Sequence, residues 1–209
     1  MRYLAPRAIV LGLAIMLSTA WTPHYILQKQ QDPELEKKIE MIFLYQPCLP
    51  ENKYDAKAEI EKLGFELEAR AILINMLTKY RYAKLGTPQY LYLDGATHIV
   101  GKLEAKEAAT PLSQILFDRR VHENARARAV ESLGRIDAEA NKKNLLRALH
   151  ATSDYFLIRV NAADALAKTK DSQVLEQLKR YARKETDSYV RERFEKSVQE
   201  LTANIQRLN

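Results

Sequence analysis

"AVESLGRIDAEANKKNLLRAL", residues 129–149, is the stretch that decides the fold of this 209-residue chain. Leu133 and Ile136 precede a short polar turn, and Leu145 and Leu149 follow it, each pair at the spacing of one helix face. The pattern is written again on both sides. Upstream, "IVGKLEAKEAATPLSQIL" (99–116) sets Gly101, Leu103, Leu112 and Leu116 33 residues ahead of Gly134, Ile136, Leu145 and Leu149. Downstream, "AADALAKTKDSQVLEQLKRYA" (162–182) carries Leu166, Leu178 and Ala182 to the places of Leu133, Leu145 and Leu149. A fourth copy opens at "DSYVRERFEKSV" (187–198) and ends as a lone helix. Self-similarity at such a period is the mark of helical hairpins that cannot bury their apolar faces alone and stack on their neighbours. The expected fold is all-α, an α-solenoid of antiparallel helix pairs. Leu133, Leu145, Leu149, Leu166 and Leu178 are its expected core.

Outside the repeats, "QDPELEKKIEMIFLY" (31–45) predicts a helix with Asp32 as N-cap and Pro33 in the first turn, and Leu35, Ile39, Ile42 and Phe43 on one stripe. A longer pattern from Asp55 to about Lys84 sets Ile60, Leu63, Leu67, Ala71, Ile74 and Leu77 on one side, with Gly64 as a point of kink or break. Residues 21–88 are therefore expected to form a helical cap on a repeat stack over 89–209, in one continuous body. The final helix is expected over 188–206, with Val190, Phe194, Val198, Leu201, Ile205 and Leu208 inward.

Residues 1–20 have a basic start at Arg2 and Arg7, an uncharged run from Ala8 to Ala20, and small residues at Ser18 and Ala20. This is the layout of a secretory signal peptide. The run is short of the roughly 20 apolar residues that a spanning helix needs, so cleavage and export to the periplasm are expected, with N-terminal membrane anchoring as the alternative. Cys48, the only cysteine, lies in the loop-like "YQPCLPENKY" and cannot form an intramolecular disulfide.

Charge is unevenly placed within a net +6. Twelve Lys and Arg against fourteen Asp and Glu give residues 21–118 a charge of −2, whereas nineteen against thirteen give 119–209 a charge of +6. The repeats are thus the basic part. In an exported protein this points to an acidic protein partner and away from nucleic acid, and membrane contact follows only if the N-terminal segment stays uncleaved.

The repeats resemble HEAT-like repeats, in particular the short phycobilisome-lyase type of small exported bacterial members. The residues that carry the likeness are "RARAVESLG" (126–134) and "RVNAADALA" (159–167), a looser "RERFEKSVQ" (191–199), and Pro111 near the start of a second helix. The resemblance implies that Arg126, Arg159 and Arg191 are structural, paired in an inter-repeat ladder with preceding aspartates such as Asp154 and Asp187. It also implies that second helices line the concave side. Those helices, expected at about 138–150 and 172–183, would expose Lys143, Arg147, Arg180 and Arg183 as a positive partner-binding ridge. The tyrosine-rich segment Tyr80–Tyr92 is the second candidate surface, although packing of its rings between helices, with the hydroxyls reaching water, is the favoured account of it. Some similar repeat proteins are bilin lyases or DNA glycosylases, which is the alternative for a chain that is not exported. His24, His98, His122 and His150 fall in no metal-binding pattern, and the sequence has no phosphate loop or nucleophile elbow. No enzyme, cofactor or metal is expected, and the function is expected to be that of a protein-binding scaffold.

Overall fold

The computed structural model describes residues 33–45, 55–64, 66–151 and 155–207, with nothing said of the Tyr45 side chain. Residues 1–32, Cys48, Asp154 and Leu208 lie outside them, and with them the signal segment, the Asp32 cap and His24. Among the described residues all regular structure is helical. It comprises α1 (Pro33–Tyr45), α2 (Ala56–Lys62), α3 (Glu66–Lys79), α4 (Pro88–Lys102), a 3-10 turn at Lys106–Ala108, α5 (Ala109–Phe117), α6 (Glu123–Asp137), α7 (Lys142–Leu149), α8 (Phe156–Leu166), α9 (Ser172–Lys184) and α10 (Ser188–Gln206).

Local chemistry sets five of the ten helix starts among the described residues. Asp55, Thr87, His122, Asp171 and Asp187 stand at the N-caps of α2, α4, α6, α9 and α10, and each side chain accepts a backbone N–H of the first turn. At α9 the Asp171 carboxylate takes both Gln173 N and Val174 N. The long pattern from Asp55 to Lys84 is broken: Gly64 holds φ +72°, a backbone state open to glycine, and separates α2 from α3. The break resets the helical phase. Leu67, expected inside, is 79% exposed, and the buried face of α3 is instead Ala69, Ile72, Leu73, Met76 and Leu77.

The first helices of the repeats pack in sequence, α4 on α6, α6 on α8 and α8 on α10, while α5, α7 and α9 pack against the first helices that follow them. Leu133, Leu145, Leu149, Leu166 and Leu178 are all fully buried, as the repeat register requires. Close approach between first helices depends on small residues. A Cβ on Gly101 would lie 2.6 Å from Ser132 Oγ, and one on Gly134 would lie 2.3 Å from Ala165 Cβ. The two contacts are related by the same 33-residue shift as the sequence. Beside them Ser132 donates to the Thr97 carbonyl (2.7 Å), Asn161 to Ala127 (2.9 Å) and Asn204 to Ala167 (2.9 Å).

The expected cap helices take repeat-like places. α1 packs on α4, with Phe43 against Gly95, and α3 packs on both α4 and α5. They therefore extend the same arrangement by one further hairpin.

The connections that follow the second helices lie together at one edge. Tyr82 O–H donates to Asp118 (2.9 Å), Tyr90 meets His122 edge-on, Arg147 lies over Phe117, Phe156 meets Tyr189, and Arg159 donates to Glu185 (2.7 Å). The opposite edge is tied by Lys142 to Asp171 (2.9 Å) and by Arg70 to the Leu103 carbonyl (3.0 Å).

Candidate functional site on the second-helix face

Leu145 and Ala148 anchor α7, and Val174, Leu178 and Ala182 anchor α9, so the helical period turns Lys143, Arg147, Arg180 and Arg183 outward, and all four are exposed. Arg147 leans toward the preceding hairpin, its guanidinium 3.9 Å from the Phe117 ring centre. Arg180 lies 5.7 Å from the ring of its neighbour Tyr181, whose other side stacks on His150. The His150 ring nitrogen Nε2 is 3.0 Å from Gln177 Oε1, so aromatic and amide groups alternate across α7 and α9.

Beside this surface runs an open groove of about 450 Å³ between α5 and α7, lined by Thr110, Ser113, Gln114, Phe117, Asn141 and Asn144. Asn144 donates to Ser113 (2.9 Å) across the groove, and Arg81 reaches Gln114 from the preceding connection. Asn141 is buried because its amide donates to the Leu133 and Asp137 carbonyls. The groove thus offers donors and acceptors under a cationic rim, which suits a polar or acidic segment of another molecule. It is absent from the sequence reading. Each residue that lines it is ordinary alone, and the 33-residue shift carries Asn144 onto Pro111 and not onto Ser113, so no periodic signal marks the groove.

Arg126, Arg159 and Arg191 take different roles. Arg126 is buried, and its Nε donates to the Leu116 carbonyl at the end of α5 (2.9 Å). Arg159 pairs with Glu185, both largely buried, and also lies 5.3 Å from the Phe194 ring. The expected pairing of Arg191 with Asp187 is not formed: Asp187 is taken by the helix cap, and Arg191 reaches the Glu185 carbonyl (3.3 Å) from an exposed position. Burial pushes the Glu185 carboxyl up, but the Asp187 N–H and Arg159 outweigh it and hold it below the usual range. Between first helices, ion pairs join Asp94 to Arg128 (3.4 Å) and Asp164 to Arg193.

Of the tyrosines in the second candidate surface, Tyr80 packs on Tyr92 and donates to Glu40 (2.6 Å). Tyr90 is buried, and burial, reinforced by Asp94, pushes its phenol up to about 12. Only Tyr82 stands out, 52% exposed, with Arg120 over its ring. Among the described residues no three His, Cys, Asp or Glu side chains converge as a metal site, and no helix is long and apolar enough to cross a membrane.

No curated protein and no solved structure matches the chain. The family model of HEAT repeats matches residues 109–199, from the start of α5 into α10. Over those helices the chain is similar to HEAT repeats.

Proposed function

We propose that this chain is an exported α-solenoid of antiparallel helix pairs, of the short phycobilisome-lyase type, which holds another protein against its second-helix face. HEAT repeats commonly mediate protein–protein interaction. The observation that carries the reading is the row of exposed cations Lys143, Arg147, Arg180 and Arg183 beside the polar groove of α5 and α7. The partner presents an acidic surface to it, and the role is binding rather than catalysis. Exposed charge of this kind mainly speeds and orients encounter, and salt screens it over about 8 Å at physiological strength.

Reversing Arg147, Arg180 and Arg183 to Glu leaves the helical circular dichroism unchanged and weakens capture of the partner from envelope extract, most at low salt. Unchanged capture by the folded triple variant moves the site to Tyr80–Tyr92. Export is tested by mass spectrometry of the native protein, for which a chain starting at Trp21 or within a few residues of it is expected. An intact Met1 on membrane-bound protein would establish the anchor, and on soluble cytosolic protein it would overturn export and revive the enzyme alternative.

A further inference from the structure

We propose that the edge formed by the connections after the second helices is a membrane-facing surface that binds anionic lipid headgroups. This edge is separate from the second-helix face proposed to hold a protein. Among the described residues the large apolar or aromatic side chains left exposed are Met41, Leu67, Tyr82, Leu85, Phe156 and Tyr189. Four of these six, Tyr82, Leu85, Phe156 and Tyr189, sit on this one edge. Phe156 meets both Tyr155 (5.0 Å) and Tyr189 (6.0 Å) edge-on, so three rings run together across the starts of α8 and α10. Tyr155 packs against the core, whereas Phe156 and Tyr189 are left exposed. Isolated exposed apolar groups are ordinary, but a row of them along one edge marks a contact surface.

The charge on the same edge identifies what it meets. Residues 79–87, 118–122 and 184–187 hold six Lys or Arg against three carboxylates, and Lys84 and Lys184 are exposed. At the opposite edge, residues 102–107, 137–142 and 168–171 hold five against five, without an exposed aromatic ring. Rings at the headgroup level combined with cations form the usual chemistry of a membrane interface. An acidic protein would match the cations as well. The choice of lipid rests on the N-terminally anchored alternative, in which the uncharged run Ala8–Ala20 is retained and holds the chain at a membrane. The chain also enters the described structure at this edge, where Glu36 in the first turns of α1 pairs with Lys79 at the end of α3 (2.7 Å). The tether alone does not choose the edge. An extended connector gains about 3.3 Å per residue, so twelve residues could reach either side. The rings and cations choose it.

The test uses the full chain with Trp21→Phe, so that a single introduced tryptophan reports depth. Leu85→Trp and Tyr189→Trp probe this edge, and Leu67→Trp, 79% exposed elsewhere, is the control. With vesicles of brominated phosphatidylglycerol and phosphatidylcholine, emission at positions 85 and 189 should be quenched and that at 67 should not. Lys84→Gln with Lys184→Gln should weaken vesicle binding by about tenfold or more while leaving the quenching pattern intact. Equal quenching at position 67 would show that the N-terminal segment binds without orienting the body, and would overturn the proposal. Absence of quenching at 85 and 189 would also overturn it and leave the edge to an acidic protein.

Discussion

At the scale of single residues, the tightest constraint is the absence of a side chain. Gly134 lies in the middle of α6, where alanine would favour the helix by about 1 kcal/mol. The position tolerates none of that gain, because a Cβ there would stand 2.3 Å from Ala165 Cβ and 3.1 Å from Ala165 Cα, a backbone atom that cannot rotate away. Gly134→Ala should therefore destabilise by about 1–3 kcal/mol, the usual range for overpacking. Adding Ala165→Gly should recover part of the loss. Additivity of the two changes in a denaturant titration would show that α6 and α8 are not in this contact. His98 is the second sensitive position. Its Nδ1 is buried without a hydrogen-bond partner among the described residues, and burial, then Arg128 and Lys102, lower its pKa against the opposing pull of Glu131. The folded chain thus takes up this proton less readily than the unfolded chain does. The stability tied to His98 is full above the ordinary value of 6.5 and declines as pH falls below it, until the lowered folded value is passed. Urea midpoints measured from pH 7.5 down to 5 should fall less steeply for His98→Gln than for the unmodified chain. Parallel curves would remove His98 from the acid response.

At the scale of elements, the sequence was most legible where a pattern recurs. The last helix runs from Ser188 to Gln206 as its stripe requires, and the second helix of the third copy runs from Ser172 to Lys184, one residue past the expected end. Repetition helps because three copies of a core position must all satisfy one burial rule, so the register is read several times over. The helices before the repeats have one copy each, and there a single phase error goes unnoticed. The stripe through Leu67 and Ile74 assumed that the period continues across Gly64. The positive φ at Gly64 ends α2, and α3 starts in a new phase with Ile72, Leu73 and Met76 inward, while Leu77 is buried as its place on the stripe requires. At Arg191 the expected ladder pairing is not formed, for a related reason. Asp187 and Arg191 are near in sequence, but the Asp187 carboxylate is nearer still to the first-turn N–H of α10, and one cap outcompetes one exposed ion pair. The pairs between first helices, Asp94 with Arg128 and Asp164 with Arg193, span helices whose facing sides only the assembled row defines. The groove of α5 and α7 is illegible for the same reason, since Ser113 and Asn144 become neighbours only when consecutive second helices are set side by side.

At the scale of the whole molecule, the contacts run mainly between elements one or two places apart in the row, so stability should be spread unevenly along it. α6 touches α4, α5, α7 and α8, whereas α1 borders only α2, α3 and α4, and α10 only α8 and α9, in the main contacts of the structure. A structure built this way behaves as a chain of nearest-neighbour terms, and local opening costs least at its ends. Hydrogen exchange should therefore be slowest in α6 and faster in α1 and in the last turns of α10. Leu145→Ala sharpens the test. The side chain is fully buried, and its truncation should cost about 2–5 kcal/mol. If coupling is passed from neighbour to neighbour, exchange should accelerate most in α7 and then in α6 and α8, which pack on it, while α1 and α3 keep nearly their original rates. If all protected amides accelerate by the same factor, the row unfolds as one cooperative unit. The glycine contacts at Gly101 and Gly134 would then couple the helices too strongly for a nearest-neighbour description to hold.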